Sequence, residues 1–422
     1  VTPQLVSLAV LVAMFVVATL YPINLGLMAF AAAFVVGALL LGMSVDDIVA
    51  GFPGDMFITL GGITFLFGIA QANGTVDLII SSAIRLVRGR LWAVVWLMFA
   101  LAATLMALGS IMAVAMVAPI ALGIAARHRI DPLLMGFMVV HGALGAGFSP
   151  LSVYGAFVNG MIAKTDLPHS PLLLFLIPFA LNLAFALVLF LTLGRPLLRS
   201  STGSVPLEKD TSDGATGGGR TPRALLFQRA ATLLGLVALF VGAAGFGVDV
   251  GFAAICIGVV LVLMAPRSYA DILDRVSWST ITLVCGMMTY MAVLDSAGTI
   301  DMAGEAVAGL GVPLVAALLL CYVGGVVSAF GSSIGTLGIT LPLAMPLLLT
   351  GEVGAIGLVA ALAACATIVD VSPFSTNGAM VLANAQVEDR DRFYRRMVAY
   401  SGLVVGLAPL LVWGAAVVPG TL

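Results

Sequence analysis

Ser149-Pro150-Leu151-Ser152-Val153-Tyr154-Gly155 returns 223 residues later as Ser372-Pro373-Phe374-Ser375-Thr376-Asn377-Gly378, the shared pattern being S-P-x-S-x-x-G. The same offset lays Ser110-Ile111 on Ser333-Ile334, Pro119 on Pro342 and Ala156 on Ala379. At 224, Gly74-Thr75-Val76-Asp77 meets Gly298-Thr299-Ile300-Asp301, and Ser44, Asp47 and Ile48 meet Ser268, Asp271 and Ile272. In so apolar a chain, matches of Ala, Leu or Val carry little weight. Matches of Ser, Pro, Gly and Asp at a nearly constant offset mark a duplication.

Each motif sits inside a long apolar run, and such runs recur from end to end. Of 422 residues, 61% are hydrophobic and only 9% charged, with a mean hydropathy of +1.18. That balance excludes a soluble globular chain and makes lipid the main solvent, so the backbone must satisfy its own hydrogen bonds as helices. The 48 glycines exceed the usual share of about 7% and point to close helix packing and deliberate breaks.

Spans are expected at about 5–20, 26–43, 56–72, 131–164, 170–195, 225–243, 248–265, 278–295, 355–385 and 395–418. Two further stretches, 91–126 and 312–349, are too long for one span and carry Gly109-Ser110 and Gly331-Ser332-Ser333 near their middles. These are helical hairpins. Their tips are either re-entrant or tight turns outside the membrane, and length does not choose between the two. Residues 5–20 read as a first membrane helix rather than a cleavable signal, since the first basic residue is Arg85. The four cysteines, one per apolar run and without metal spacing, read as packing residues.

The expected fold is an all-α polytopic membrane protein of two inverted repeats, each of five transmembrane helices plus one re-entrant hairpin, with one broken helix per repeat. Residues 1–195 form the first repeat, 196–224 a polar Gly/Ser/Thr-rich linker and 225–422 the second. Five is odd, so the second copy enters the membrane upside down. Lys and Arg concentrate on the cytoplasmic side of membrane proteins. Placing Arg85, Arg88 and Arg90 there carries every later Lys and Arg with them except Lys164, including Lys209 and Arg220 of the linker. Asp46, Asp47, Asp55, Asp249, Asp301, Glu305 and Glu352 fall to outer loops. The expected site is the inner membrane, with both termini external and the linker cytoplasmic.

Inverted repeats with interrupted helices are the architecture of secondary transporters. Ser149 and Ser372, each before a proline, read as N-caps with Pro150 and Pro373 at the first helical position. Free carbonyls before each break suit a hard cation, and free N–H groups after it suit a carboxylate. Ser152, Ser375, Thr376 and Asn377 add neutral polar groups one turn in, and the tips supply Gly109, Ser110, Ile111, Ser332, Ser333 and Thr336. The bland alternative is a proline kink with serines bonded back to their own helix. Intramembrane charge is rare and costly. Asp370 is therefore the best candidate for a cation ligand or coupling carboxylate, while His141 reads first as a packed histidine. No nucleophile–base pair or metal cluster suggests an enzyme, and no feature suggests nucleic acid.

At these residues the chain resembles the divalent anion:sodium symporters of the ion-transporter superfamily, and among them the MatC-type dicarboxylate carriers. Their hairpin tips carry Ser-Asn-Thr, with a proline ten residues after its Ser; counting back from Pro119 and Pro342 lands on Gly109-Ser110-Ile111 and Ser332-Ser333-Ile334. Neither is Ser-Asn-Thr. The breaks match better, as Phe148-Ser149-Pro150 and Val371-Ser372-Pro373. The resemblance implies two or more coupling sodium ions, one between Ser110 and the Phe148 carbonyl and one between Ser333 and the Val371 carbonyl, with substrate carboxylates near Ser110, Ser149, Ser333 and Ser372. It implies symport of malonate, a C4-dicarboxylate or citrate by an elevator movement. It also implies a homodimer in the lipid bilayer, with scaffold at 1–85 and 225–300 and a moving domain at 91–195 and 312–422. A proton-coupled carrier or exchanger using Asp370 or His141 is the alternative.

Overall fold

A computed structural model describes residues 2–21, 23–86, 90–165, 167–199, 222–246, 248–299, 302 and 312–419. Most of the 196–224 linker, with Lys209 and Arg220, lies outside the described residues, as do Arg88, Asp301 and Glu305. The described residues are helical throughout and contain no strand.

The first half runs α1 (Pro3–Leu20), α2 (Leu25–Phe34, continued by a π-turn to Leu40), a short α3 (Val45–Ala50), α4 (Gly54–Ala72) and α5 (Thr75–Leu86). It continues as a hairpin of α6 (Leu91–Ala107) and α7 (Ala113–Arg127), then α8 (Pro132–Gly145), α9 (Val153–Ile162), α10 (Pro171–Leu193) and a short α11 (Arg195–Arg199). The second half runs α12 (Pro222–Phe246), α13 (Val250–Met264), α14 (Trp278–Ser296), a hairpin of α15 (Pro313–Ser328) and α16 (Ser333–Leu349), α17 (Ala355–Ile368), α18 (Thr376–Asn384) and α19 (Arg390–Ala416). Among the described residues, six helical stretches are long and apolar enough to cross a membrane. Polar caps set the ends: Asn24 accepts from the Gly26 and Leu27 N–H groups, Asp131 precedes Pro132 and accepts from Leu133, and Ser170 precedes Pro171 and accepts from Leu173. Reading by apolar runs left α5 out, because its 12 residues are too few to span and follow a left-handed glycine, Gly74.

Outward faces are apolar. On α12, Leu234 is 70% exposed and Val237 and Phe240 are also open, an arrangement suited to lipid. Cys285, Cys321 and Cys365 are packed inside, whereas Cys256 is exposed on α13 and so is not the packing residue expected.

Helix bounds recur at the sequence offset. α4 and α14 are each 19 residues long and begin 224 residues apart; α8 and α17 are each 14 residues long and begin 223 apart. Packing recurs too. Among the tightest helix pairs are α2 with α14 and α13 with α4, each joining one half to the other. A Cβ on Gly26 would lie 2.1 Å from the Thr282 carbonyl, and one on Gly286 2.1 Å from the Gly26 carbonyl. The other crossing brings Gly62 against Gly251, where a Cβ on Gly62 would lie 2.3 Å from the Gly251 carbonyl. Only residues without a side chain allow backbones this close. Polar clasps follow the same pattern. The Asn73 amide donates to Thr232 Oγ1 at 2.7 Å while Arg229 Nε donates to the Asn73 carbonyl; on the other side, Ser7 Oγ meets Thr299 Oγ1 at 2.6 Å and Tyr290 donates to the Ser7 carbonyl. Packing thus gathers α1, α2, α4, α12, α13 and α14 into one group, and α6 to α10 with α15 to α19 into another.

Candidate functional site

Both copies of S-P-x-S-x-x-G fold identically, and each residue type has a physical reason. α8 tightens into a 3-10 turn, Ala146–Phe148, and stops at Ser149, which has extended ψ. Ser149 Oγ accepts from the Leu151 N–H at 3.3 Å, and Ser372 Oγ accepts from the Phe374 N–H at the same distance. The second serine is the helix cap. Ser152 accepts from the Gly155 N–H at 3.0 Å and donates to the Ser149 carbonyl at 2.8 Å; Ser375 accepts from Gly378 at 3.3 Å and donates to the Ser372 carbonyl at 2.8 Å. This corrects the reading of Ser149 and Ser372 as N-caps. A full turn separates each Ser-Pro from the helix it introduces, because the proline serves a bend rather than a first helical position. The final glycine is required, since a Cβ on Gly155 would lie 2.1 Å from the Ser149 carbonyl oxygen and one on Gly378 1.8 Å from that of Ser372.

Hairpin tips meet the breaks. Gly109, at φ +110°, turns the first tip against Leu151 of the break and Ile63 of α4. Ser149 Oγ donates across the gap to the Ala107 carbonyl at 2.8 Å. Ser110 is buried, with its hydroxyl 3.8 Å from Met116 Sδ, and Ile111 beside it is half-buried. At the second tip the Thr376 N–H donates to the Gly331 carbonyl at 3.3 Å. Phe330 of the tip and Phe374 of the break stack at 5.6 Å between ring centroids. The first site keeps an apolar lining, with Phe148 against Tyr154 at 6.0 Å.

The two sites differ at one decisive position. Asp370 falls at the start of the second break, fully buried, where the first has Gly147. Asp370 Oδ2 accepts from Ser333 Oγ at 2.6 Å and from Asn377 Nδ2 at 2.8 Å, and Oδ1 accepts from the Asn377 N–H at 3.2 Å. Ser333 also lies 2.9 Å from the Ala366 carbonyl, which Ser328 Oγ approaches at 2.5 Å. The Val371 carbonyl accepts from Ser401 at 3.3 Å. In the first copy the Ser152 hydroxyl approaches the Gly147 carbonyl as a second acceptor beside that of Ser149. Among the described residues no three His, Cys, Asp or Glu gather as a metal site would require. A hard monovalent cation at the second site would find the Asp370 carboxylate, the Ser333 hydroxyl and carbonyls freed by the break.

His141 is fully buried with both ring nitrogens engaged, Nδ1 with Asn182 Oδ1 at 3.0 Å and Nε2 with Tyr400 OH at 3.4 Å. Asn182 Nδ2 continues to Thr367 Oγ1 at 3.3 Å, tying α8 and α10 to α17. That is the geometry of a packed polar strut. Ser328 and Asn182 escaped the sequence reading because their roles depend on which helices cross.

The first 147 residues match the family model described as the dicarboxylate carrier protein MatC N-terminus. No curated protein sequence matches the chain. Among solved structures, the YdaH transporter of Alcanivorax borkumensis is similar over 98% of this chain and 97% of its own, with a TM-score of 0.62 and 16% identity. MtrF of Neisseria gonorrhoeae, described with a class of antimetabolite efflux pumps, is similar over 98% of this chain and 94% of its own, with a TM-score of 0.57 and 12% identity. At such identities the likeness is one of fold. The matched family and both structures are transporters rather than enzymes; this chain shares the fold of the two structures, carries helices long and apolar enough to cross a membrane, and is similar in its first third to dicarboxylate carriers.

Proposed function

We propose that the protein is a secondary transporter that couples the movement of a di- or tricarboxylate to a cation, sodium in the first reading. The observation that carries this is the pair of equivalent breaks, each closed over a hairpin tip, one holding the only buried carboxylate among the described residues. Helix bounds repeating at 223 to 224 residues and the two glycine crossings support inverted repeats. The hairpin arms contain 15 to 17 residues. At 1.5 Å per residue they reach about 23 to 26 Å, short of the roughly 30 Å hydrocarbon core. Burial of Ser110 and Ser333 at their tips likewise favours re-entrant hairpins over loops in water. On this reading the ligands are Gly109, Ser110, Phe148, Ser149, Ser332, Ser333, Asp370, Val371 and Ser372 for cations, with Ile111, Ser152, Thr336, Thr376 and Asn377 joining the serines around substrate. The MatC match favours a dicarboxylate such as malonate or a C4-dicarboxylate, with the tricarboxylate citrate as the other candidate. The division of packing between the two helix groups supports an elevator-type movement.

A proton-coupled carrier or exchanger is the second reading, favoured by the 2.6 Å contact between Ser333 and Asp370. One hydroxyl proton cannot serve both Asp370 and the Ala366 carbonyl. A proton on Asp370 donated to Ser333 would release the serine proton to Ala366. Uptake of labelled malonate, succinate and citrate by proteoliposomes, under an imposed sodium gradient with the proton gradient collapsed, separates the readings. Uptake of any of them supports sodium coupling; uptake only under a proton gradient supports the second reading; uptake of none overturns the carboxylate assignment.

A further inference from the structure

Lys164 is the residue that escapes the charge bias of the sequence, and nothing at the breaks or hairpin tips makes use of it. It stands at the wall of a cavity of about 290 Å³ that lies between the two helix groups. One side is built by the last turns of α14 and the end of α3, the other by the ends of α9 and α16. Met345 and Leu349 line it, and they close the helix that Ser333 opens, so at 1.5 Å per residue the space lies about 18 to 24 Å from the second tip. It is separate from the candidate site.

Four thioethers form the wall. Met288 and Met291 lie one turn apart on one face of α14, and Met161 of α9 and Met345 of α16 face the same space. Met161, Met288 and Met345 are buried and Met291 is half-buried. Unbranched, adaptable side chains of this kind can follow a flexible hydrocarbon chain. The mouth is apolar as well. Leu349 there is 53% exposed, and Val49, next to Ala50 of the rim, is 61% exposed, so aliphatic surface continues from the cavity to the outside.

Charge at the mouth is mixed. The Lys164 ammonium lies 3.6 Å from the Asp55 carboxylate, and both side chains are well exposed, which leaves ammonium protons for a second acceptor. Asp295 also lines the cavity, is exposed, and enters no ion pair among the described residues. Two carboxylates thus stand beside one ammonium. A purely anionic headgroup would meet more repulsion than attraction, whereas a phosphate that carries its own ammonium finds a partner for each sign.

We propose that this cavity is a lipid site for a zwitterionic phospholipid of the phosphatidylethanolamine type, with its phosphate on Lys164, its ammonium on Asp295 and one acyl chain along the four methionines. The proposal goes beyond the carrier reading and does not depend on which substrate is carried. A lipid seated there touches both helix groups at once and would favour the arrangement of the groups described above.

The test is the melting temperature of the purified, delipidated full-length protein, titrated with dioleoyl phosphatidylethanolamine, phosphatidylcholine or phosphatidylglycerol in mixed micelles, and with water-soluble phosphoethanolamine. Wild type should be stabilised at the lowest concentration by phosphatidylethanolamine and not by phosphoethanolamine alone, because the acyl chain supplies the apolar contact. Lys164→Gln and Asp295→Asn remove exposed charges, so their lipid-free melting temperatures should stay near wild type while each weakens the response to phosphatidylethanolamine about threefold to fivefold. Asp274→Asn, in the turn before the other end of α14, should respond as wild type does. Equal responses to all three lipids would overturn the headgroup assignment, and a full response to phosphoethanolamine would overturn the acyl-chain assignment. If both charge variants respond as wild type does, the lipid lies elsewhere and the proposal is wrong.

Discussion

Ser333 Oγ lies 2.6 Å from Asp370 Oδ2, a contact between a hairpin tip and the break of the following helix that has no equivalent at Ser110, because Gly147 stands where the carboxylate would be. The two breaks are thus similar frames of which one is charged. A buried carboxylate with no basic partner needs either a proton or a bound cation to be tolerated in a low-dielectric interior. Coupling is therefore expected to reside in the second repeat, with the first repeat binding through neutral groups.

Asp370→Asn keeps the size of the side chain while removing the charge and turning one of its two acceptor oxygens into a donor. The variant should reach the membrane and fold, yet lose the cation dependence of uptake, with rates at saturating cation down about tenfold or more for loss of charged hydrogen bonds. Uptake measured across sodium concentrations and across pH checks this. An unchanged sodium response and an unchanged pH profile in the variant would exclude Asp370 from coupling.

The paired serines of each motif should separate function from stability. Ser152 and Ser375 cap helices and bridge the turn, so alanine there should cost about 1 kcal/mol or more and lower the melting temperature. Ser149 donates to the Ala107 carbonyl of the hairpin, and Ser149→Ala and Ser372→Ala should fold nearly as well but transport poorly. Thermal unfolding beside initial uptake rates tests the division. Equal melting temperatures across all four variants would overturn the assignment of caps.

Gly155→Ala and Gly378→Ala should be more damaging than any serine change, since the new methyl would overlap a carbonyl oxygen in each case. Overpacking of this kind costs about 1–3 kcal/mol. Gly402 in α19 has nothing within 4 Å of a built Cβ and serves as the control, where alanine should be neutral or stabilising. Comparable melting temperatures for Gly155→Ala, Gly378→Ala and Gly402→Ala would contradict the geometry.

How far these features were legible depends on whether they are local. Apolar runs gave nearly every long helix, and the breaks and hairpin tips fall where Ser-Pro and Gly-Ser punctuate them, because chain-breaking residues act on their own neighbours. The cap was misplaced by three residues at both breaks. Ser followed by Pro satisfies the local rule for a helix start, and the competing turn is fixed by contacts of the Ser149 and Ser372 carbonyls that spacing does not reveal. Asp370 stood out through the rarity of charge. Asn24 and Ser279 did not, since a polar residue at a helix start gains meaning only when Gly26 and Gly286 let two helices touch.

Relative movement of the two helix groups can be tested where they meet. Lys164, just beyond α9, lies 3.6 Å from Asp55 at the start of α4, and both side chains are well exposed. Such an exposed pair contributes about 1 kcal/mol at most, so Lys164→Ala should leave the melting temperature nearly unchanged. An elevator movement would carry α9 along α4 and part the pair in every cycle. Cysteines at both positions, in a background without Cys256, Cys285, Cys321 and Cys365, should then lock transport when joined by a short thiol cross-linker and release it when the linker is cleaved. Cross-linked protein that transports as fast as the cleaved form would mean that α9 and α4 stay together throughout the cycle, and the two helix groups would have to exchange substrate by a local opening of the hairpin tips instead.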